Sequence, residues 1–441
     1  MGKSNEVSIA LLGCGKLGQG LYKLWKMNRS RIEEQTGIDL VISHVFVKHK
    51  HQKRDPAIPI NIITDRVKDI LKDQNVQIAI DTMGGIEPTY GIIKQFLNQG
   101  CHIVSANRAL LASKMREVFE LARSKKVHLQ FDAALGGGIP IVRMLKRDLI
   151  VSSVREMWGI VSGNANYLLT EMHRSKKSMK EILKLPELQR LTESHMLIDY
   201  EGADSAQKLA LLAAMAFGVE VNYLQVYAEG ISHIKLNDIK FAEEFGYRIK
   251  LLAILKDRKE GMELRVHPTL IPLNHPMNSV QYDYNAFYIH TDLVGEYMCY
   301  GKGAGIYPAA SMIIGDLVQV ATSIKTSLNQ MYEFPCWNEK KVLPINEIIS
   351  GYYLRFTCVD IPGVMGKIAT VLGENNINIA SAHAALKREL RTDRLGYVNI
   401  FIESAKEEDV MRAVTIIKKF KIVKGTATVI RILGEPANVN S

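Results

Sequence analysis

The 441-residue sequence is poor in cysteine, with five at positions 14, 101, 299, 336 and 358 and no C-x-x-C pair among them. An odd, scattered set excludes a disulfide frame and a cysteine zinc site, and fits reduced thiols in the cytosol. Long apolar runs are missing too. No stretch approaches the roughly 18 uninterrupted apolar residues of a membrane helix. The opening MGKSNEVSIALLG lacks a basic segment, an apolar stretch and a small-residue cleavage site, so no signal peptide is expected. Acidic residues are the scarcer charge, 46 against 56 Lys and Arg, for a net charge of +10. The basic excess is dispersed. Its densest run, Lys48, His49, Lys50, His51, Lys53 and Arg54, suits a phosphate-bearing small molecule better than nucleic acid. What is present is ordinary for a soluble globular chain, 47% hydrophobic and 23% charged, and the length asks for two or three domains.

Apolar strand patterns alternate with helical ones through the first third. Strands are expected at 6–13, 41–48, 76–85, 102–107 and 127–138, with helices at 20–35, 87–100 and 115–126 between them. That alternation predicts an α/β fold, a Rossmann-type doubly wound parallel sheet over residues 1–135. Residues 136–307 mix long helical runs with strands and read as an α+β catalytic and dimerisation domain. A helix near 308–327 is expected to return to the first domain. A linker at 328–350, with Pro335 and Pro344, leads into residues 351–434, whose order is β-α-β-β-α-β. This last module is expected to be separable, its removal leaving a folded enzyme.

Gly13-Cys14-Gly15-Lys16-Leu17-Gly18 follows the first strand and opens a helix, the context a dinucleotide-binding G-x-G-x-x-G requires. Gly13 suits the tight turn, Gly15 a close approach of pyrophosphate, and Gly18 the packing of helix on strand. Orphan N–H groups of Lys16 and Leu17 would then face the phosphates. No acidic residue ends the second strand to hold ribose hydroxyls. Lys48, Lys50 or Arg54 could instead meet a 2′-phosphate, which favours NADP(H) over NAD(H); the alternative is that they are solvated loop charges.

The segments Asp81–Gly85, Ser105–Ala112, Gly136–Pro140, Gly159–Tyr167, Asp199–Ala210 and Gly301–Gly305, with Pro308 beyond, resemble the successive motifs of homoserine dehydrogenases, in family order across residues 7–325. The resemblance implies reversible reduction of aspartate 4-semialdehyde to homoserine, on the way to threonine, methionine and isoleucine. It implies that Lys208 relays the proton with Asp204 beside it. An i,i+4 Asp/Lys pair shares a helix face whatever its role, so a solvated surface pair is the bland alternative. By the same resemblance Glu193, Asp199, Gly163 and Asn164 would bind substrate. Thr82, Gly84, Ser105, Asn107, Arg108 and Gly303 would join the glycine loop around the cofactor. Main-chain carbonyls of Asp132, Leu135 and Gly137 would hold a Na+ or K+ ion.

The sequence departs from the family pattern at named positions. Arg108 stands where the family usually has Lys, and a guanidinium cannot donate and recover a proton at neutral pH. Asn164 replaces a customary Thr, Ser162 an Asn, and Asp81 and Asp132 each a Glu. These departures keep two rivals open: a paralogue reducing a related amino-acid semialdehyde, and a non-catalytic amino-acid sensor. Asp360-Ile361-Pro362-Gly363-Val364-Met365-Gly366 resembles the signature of ACT domains, which implies an amino-acid effector such as threonine. A module that only dimerises is the alternative. The RNA-binding version of this topology is rejected because 397–404 lacks the K/R-G-F/Y-G/A-F-V-x-F run of stacking aromatics. The partners expected are a small amino-acid substrate and further copies of the chain, in a homodimer or homotetramer. No nucleic acid or membrane is expected, and the location is cytoplasmic.

Overall fold

A computed structural model of the chain describes residues 5–185, 201–326, 337–386 and 395–434. The chain divides into two compact units. The first holds Met1–Met157, Ala206–Val226 and Asp283–Lys340; the second holds Trp158–Ser205, Tyr227–Tyr282 and Lys341–Ser441.

The first unit is built on a parallel sheet. Its strands are β1 (Glu6–Leu12), β2 (Asp39–Phe46), β3 (Ile63–Thr64), β4 (Val76–Asp81), β5 (His102–Ser105) and β6 (Leu129–Gln130), in the order β3-β2-β1-β4-β5-β6. All its pairings are parallel. Val7, Ile9, Leu11, Ile78 and Ile80 are fully buried, as a sheet covered on both faces demands. Helix Lys16–Thr36 buries Leu21, Tyr22 and Trp25 on one stripe and stops at Gly37 in the left-handed region. Helix Ile306–Thr326 returns to this sheet. It buries Ala310, Ile313, Leu317, Val320 and Ala321, at helical spacing, in the core of Val7, Ile9 and Leu11.

Residues 127–138 differ from the single strand read in the sequence. Only Leu129–Gln130 is extended, and Asp132–Leu135 forms a helical turn. The Asp132 carboxylate, once buried, draws the N–H of Val142 to 2.7 Å and so bends the chain back on itself. The same unit carries an antiparallel hairpin, Tyr284–Thr291 with Glu296–Lys302.

In the second unit, strands Tyr247–Arg258 and Gly261–Pro272 form an antiparallel pair whose free edge receives Thr428–Ile432 in parallel. Ile349–Val359, Leu395–Lys406 and Ile379–Leu386 continue outward in that order. Helices Val364–Glu374 and Glu407–Lys418 bury Ile368, Leu372, Val410, Ala413 and Ile417 against them. The βαββαβ order is thus realised, and ion pairs join it to the rest of the second unit. Arg355 Nε lies 2.6 Å from Asp238 Oδ1, both groups fully buried. Arg431 holds Glu407 through Nε at 2.9 Å and reaches Glu229 through Nη1 at 2.8 Å. Arg355 and Arg431 thus tie residues 351–434 to Asp238 and Glu229, on the other side of a cut at residue 350.

Candidate active site

The glycine loop joins β1 to its helix. Gly13 adopts φ +97°, and a Cβ there would stand 2.8 Å from Met83 N. A Cβ on Gly18 would meet Gly13 O at 2.3 Å, so helix and loop touch only because Gly18 has no side chain. Thr82 fastens the turn, its hydroxyl donating to Gly13 O at 2.8 Å. Gly15 is different: nothing lies within 4 Å of a Cβ built on it, and as N-cap it makes no side-chain capping bond. The first turn of the helix also lacks an acidic residue. An open cradle at a helix N-terminus that has no side-chain cap fits the pyrophosphate of a dinucleotide.

The second wall of the cradle is a polar network at the ends of β4 and β5. Asp81 is fully buried, accepts from Met83 N–H at 3.0 Å and from the Ser105 hydroxyl at 3.1 Å, and is pushed by burial above the ordinary carboxyl range. Asn107 caps helix Arg108–Ser113 by accepting from Leu110 N–H, and its amide donates to Gly85 O at 2.7 Å. Asp81 and Asn107 therefore hold the 83–85 turn in place with their side chains, and Ser105 braces Asp81. Thr82 and Gly84 stand on that turn, and Arg108, half-buried, opens the helix.

Beyond β2, Lys48 and Lys50 are exposed. Arg54 folds back on its own loop, donating to Gln52 O at 2.7 Å and His49 O at 2.6 Å. Gln19, given no role in the sequence reading, ties this loop to the glycine turn. It accepts from Asp55 N–H at 2.8 Å and donates to Cys14 O at 3.3 Å. Its place one turn into the helix was the only signal that could have marked it.

The 136–139 turn explains its glycines by packing. A Cβ on Gly137 would meet Gly303 O at 2.1 Å, and Gly138 N–H donates to Lys302 O at 3.0 Å. Gly303 in turn lies against Asn285, 2.0 Å from where its Cβ would be. Gly137 and Gly303 are therefore brought together, and the Asp132 carbonyl accepts from Gly136 N–H at 3.1 Å. Leu135 is buried beside them in sequence. Arg143 and Asp316 were not foreseen: Arg143 Nη2 sits 3.1 Å from Asp316 and 3.8 Å from Asp132. Burial raises both carboxyls above their usual range, Asp316 further because Asp132 faces it. Among the described residues no cluster of His, Cys, Asp and Glu could form a side-chain metal centre.

Asp204 and Lys208 lie on helix Ala203–Phe217, four residues apart, at 6% and 7% exposure. That burial removes the reading of a solvated surface pair, since an ammonium and a carboxylate leave water only when partnered or used. Gly163 and Asn164 form the first turn of helix Gly163–Ser175, capped by the Ser162 side chain at 3.2 Å from Ala165 N–H. Glu193 and Asp199 lie outside the described residues.

A dinucleotide cradle on a β3-β2-β1-β4-β5-β6 parallel sheet, with a buried lysine in a second chain segment, fits the class of nicotinamide-dependent oxidoreductases, here joined to a βαββαβ module. Comparison with known proteins names the class. The family models for homoserine dehydrogenase, for its NAD-binding domain and for the ACT domain match residues 140–318, 13–132 and 352–419. The homoserine dehydrogenase of Neisseria gonorrhoeae is 32% identical over 97% of this chain and 98% of its own. That of Bacillus subtilis is 32% identical over 84% and 86%. A crystal structure of the Thiobacillus denitrificans enzyme superposes with a TM-score of 0.90 at 32% identity, covering 97% of this chain and 98% of that one. The chain belongs to the homoserine dehydrogenase family. Among the described residues no helix is long and apolar enough to cross a membrane.

Proposed function

We propose that this chain interconverts L-homoserine and L-aspartate 4-semialdehyde with NADP(H) as the preferred cofactor, Lys208 handling the proton. The observation that carries the reading is Lys208, buried on one helix with Asp204 inside a chain of this family. A bound nicotinamide supplies or accepts the hydride. The residues do the rest. Gly13, Gly15, Lys16, Leu17 and Gly18 offer backbone to the pyrophosphate, and Thr82, Gly84, Ser105, Asn107, Arg108 and Gly303 shape the remainder of the cradle. The Lys208 ammonium stabilises charge on the carbonyl oxygen as it becomes an alkoxide, and supplies its proton; in the reverse direction the amine takes it back. Asp204 positions Lys208. Gly163, Asn164, Glu193 and Asp199 are assigned to the amino-acid end of the substrate.

The preference for NADP(H) rests on Lys48, Lys50 and Arg54, with no carboxylate ending β2. A Na+ or K+ ion on the carbonyls of Asp132, Leu135 and Gly137 belongs to the same proposal. A carbonyl has two lone pairs, so the bond from Gly136 leaves Asp132 O able to ligate. The ACT module is assigned an amino-acid effector, threonine first. Exposed Leu293, Val294, Tyr297 and Tyr300 on the 284–302 hairpin support a homodimer or homotetramer. The free thiols of Cys14, Cys101, Cys299 and Cys358 accord with the cytosol.

The test is cofactor oxidation by the purified chain across a panel of amino-acid semialdehydes, with NADPH and NADH. Turnover is expected to be fastest with aspartate semialdehyde and NADPH. Neutralising Lys48, Lys50 and Arg54 together is expected to raise KM for NADPH and leave NADH nearly untouched. Preference for another semialdehyde would establish the paralogue, and no turnover with any would establish the sensor.

A further inference from the structure

A second concentration of charge uses none of the residues assigned above and lies wholly within the second unit. A cavity of about 300 Å³ opens between the last turns of helix Gly163–Ser175, helix Leu236–Glu244 and strand Tyr247–Arg258. Its walls carry His173, Arg174, Lys176, Arg248 and Lys250 against one acidic residue, Glu243. That carboxylate is already engaged, by Lys176 in a short ion pair and by His173 Nε2 at 3.5 Å. The cavity keeps a net positive charge, carried by Arg174, Arg248 and, when protonated, Lys250.

Two groups on its walls have more to give. Lys250 is 1% exposed and donates to Asn166 Oδ1 at 2.8 Å and Val280 O at 2.6 Å. The described residues thus supply acceptors for two of the three N–H bonds of its ammonium. Arg248, two residues away on the same strand, has a buried Nε with no hydrogen-bond partner among the described residues. A buried donor without an acceptor is costly, and natural structures reserve such positions for water, ions or ligands. One such donor, beside a lysine that has a third N–H to give when protonated, in an excess of positive charge, selects an acceptor-only ligand with negative charge.

We propose that this cavity binds a small oxyanion, a carboxylate or phosphate group, gripped by Lys250 and Arg248 with exposed Arg174 at its rim. Arg248 offers the fork and Lys250 the point charge that such groups accept. The pH response follows from what faces Lys250. Burial, and then the charge of Arg248, hold its amine at about 7. Arg174, Lys176 and Glu243 line the same cavity, and His173 is held below its ordinary value by burial first and then by the neighbouring cations. An oxyanion favours the ammonium, so binding draws in a proton wherever free Lys250 is partly neutral. Affinity is therefore full below pH 7 and falls, by up to about tenfold per pH unit, as pH rises above it.

The experiment is calorimetric titration of the full chain, saturated with NADPH to fill the dinucleotide cradle, with sodium sulfate and separately with sodium succinate at constant ionic strength. Sulfate stands for phosphate esters and succinate for carboxylates, and neither titrates appreciably between pH 6.5 and 8.5. Saturable one-to-one binding of at least one is expected, at least tenfold weaker at pH 8.5, with proton uptake near pH 7 visible as a buffer-dependent heat. Lys250→Met is expected to abolish it. Since a buried substitution can disturb folding, Arg248→Gln and Arg174→Gln, on less buried side chains, must each weaken it severalfold. No saturable binding of either anion, or binding unchanged in Arg248→Gln and Arg174→Gln, would overturn the proposal.

Discussion

Around Gly13–Gly18 the chain brings backbone against backbone, with contacts that only the absence of side chains permits. Around Arg431 it brings charge against charge: Glu407, Glu229 and Tyr227 surround one guanidinium that is 3% exposed, and the Tyr352 hydroxyl donates to Glu407 behind them. The first arrangement spans six residues plus Thr82; the second joins positions 24 and 202 apart in sequence. A motif whose parts are adjacent can be read along a sequence. A lattice of ion pairs cannot, because each member looks like a surface charge until the fold supplies its partner. The glycine region is specified by what is missing from its residues, and the ionic region by pairing.

The sharpest way to break the contrast is to remove one charge from the lattice. Arg431→Met leaves Glu407 and Glu229 without their shared cation, one of them fully buried, and is expected to cost about 3–5 kcal/mol of stability. Thermal or urea unfolding reads the loss directly. NADPH affinity of the fraction that remains folded should not change. A stability near that of the parent protein would mean that the lattice is ornamental.

The glycine region offers a paired test of smaller size. Gly18→Ala forces a methyl into Gly13 O and is expected to cost roughly 1–3 kcal/mol, with loss of cofactor binding. Gly15→Ala meets open space and should change stability by less than about 0.5 kcal/mol. It should nevertheless weaken NADPH binding tenfold or more, about 1.4 kcal/mol, because the methyl occupies the cradle. Equal effects of the two substitutions on stability would erase the distinction between a packed glycine and a ligand-facing one.

The smallest effect per step is an acid limb shared by both regions. His102, in the first unit, is held at about 4 by burial and by His128, and its Nδ1 accepts from His128 N–H at 2.9 Å. His267, in the second, is completely buried and accepts from Arg265 Nη1 at 2.8 Å, with burial driving its value well below the ordinary 6.5. Both fold as neutral rings and are protonated more readily when unfolded. The stability they contribute is therefore complete above pH 6.5 and is lost as pH falls toward 4, at about 1.4 kcal/mol per unit for each. Unfolding midpoints between pH 7 and 5 measure this slope. His267→Gln should make it shallower, and an unchanged slope would assign the acid limb to carboxylates.

Much of the fold was legible for the same reason as the glycine loop. Alternating strand and helix periods announce a doubly wound sheet, and the spacing of Ala310, Ile313, Leu317, Val320 and Ala321 announces a helix with one buried face. The β-α-β-β-α-β order was readable from 351 onward. Its attachment was not, since Asp238 and Glu229 carry no local mark as partners of Arg355 and Arg431. Residues 127–138 misled because their apolar run continues past the point where Asp132 turns the chain. Of the proposed site, Gly13, Gly15 and Gly18 were read from spacing, and the role proposed for Lys208 from resemblance. Gln19, Arg143 and Asp316, and Lys250 in the second cavity, were not singled out, because a side chain that bridges distant segments looks in sequence like any other polar residue.

Whether buried Lys208 carries the proton in nicotinamide-dependent turnover of homoserine is decided most directly by one substitution. Lys208→Ala is to be compared with the parent chain in kcat for homoserine oxidation and in NADPH dissociation constant. A kcat lower by about 10²–10⁴ with NADPH affinity within twofold is the expected result. A kcat close to that of the parent chain, in a folded variant, would contradict a proton-carrying role for Lys208.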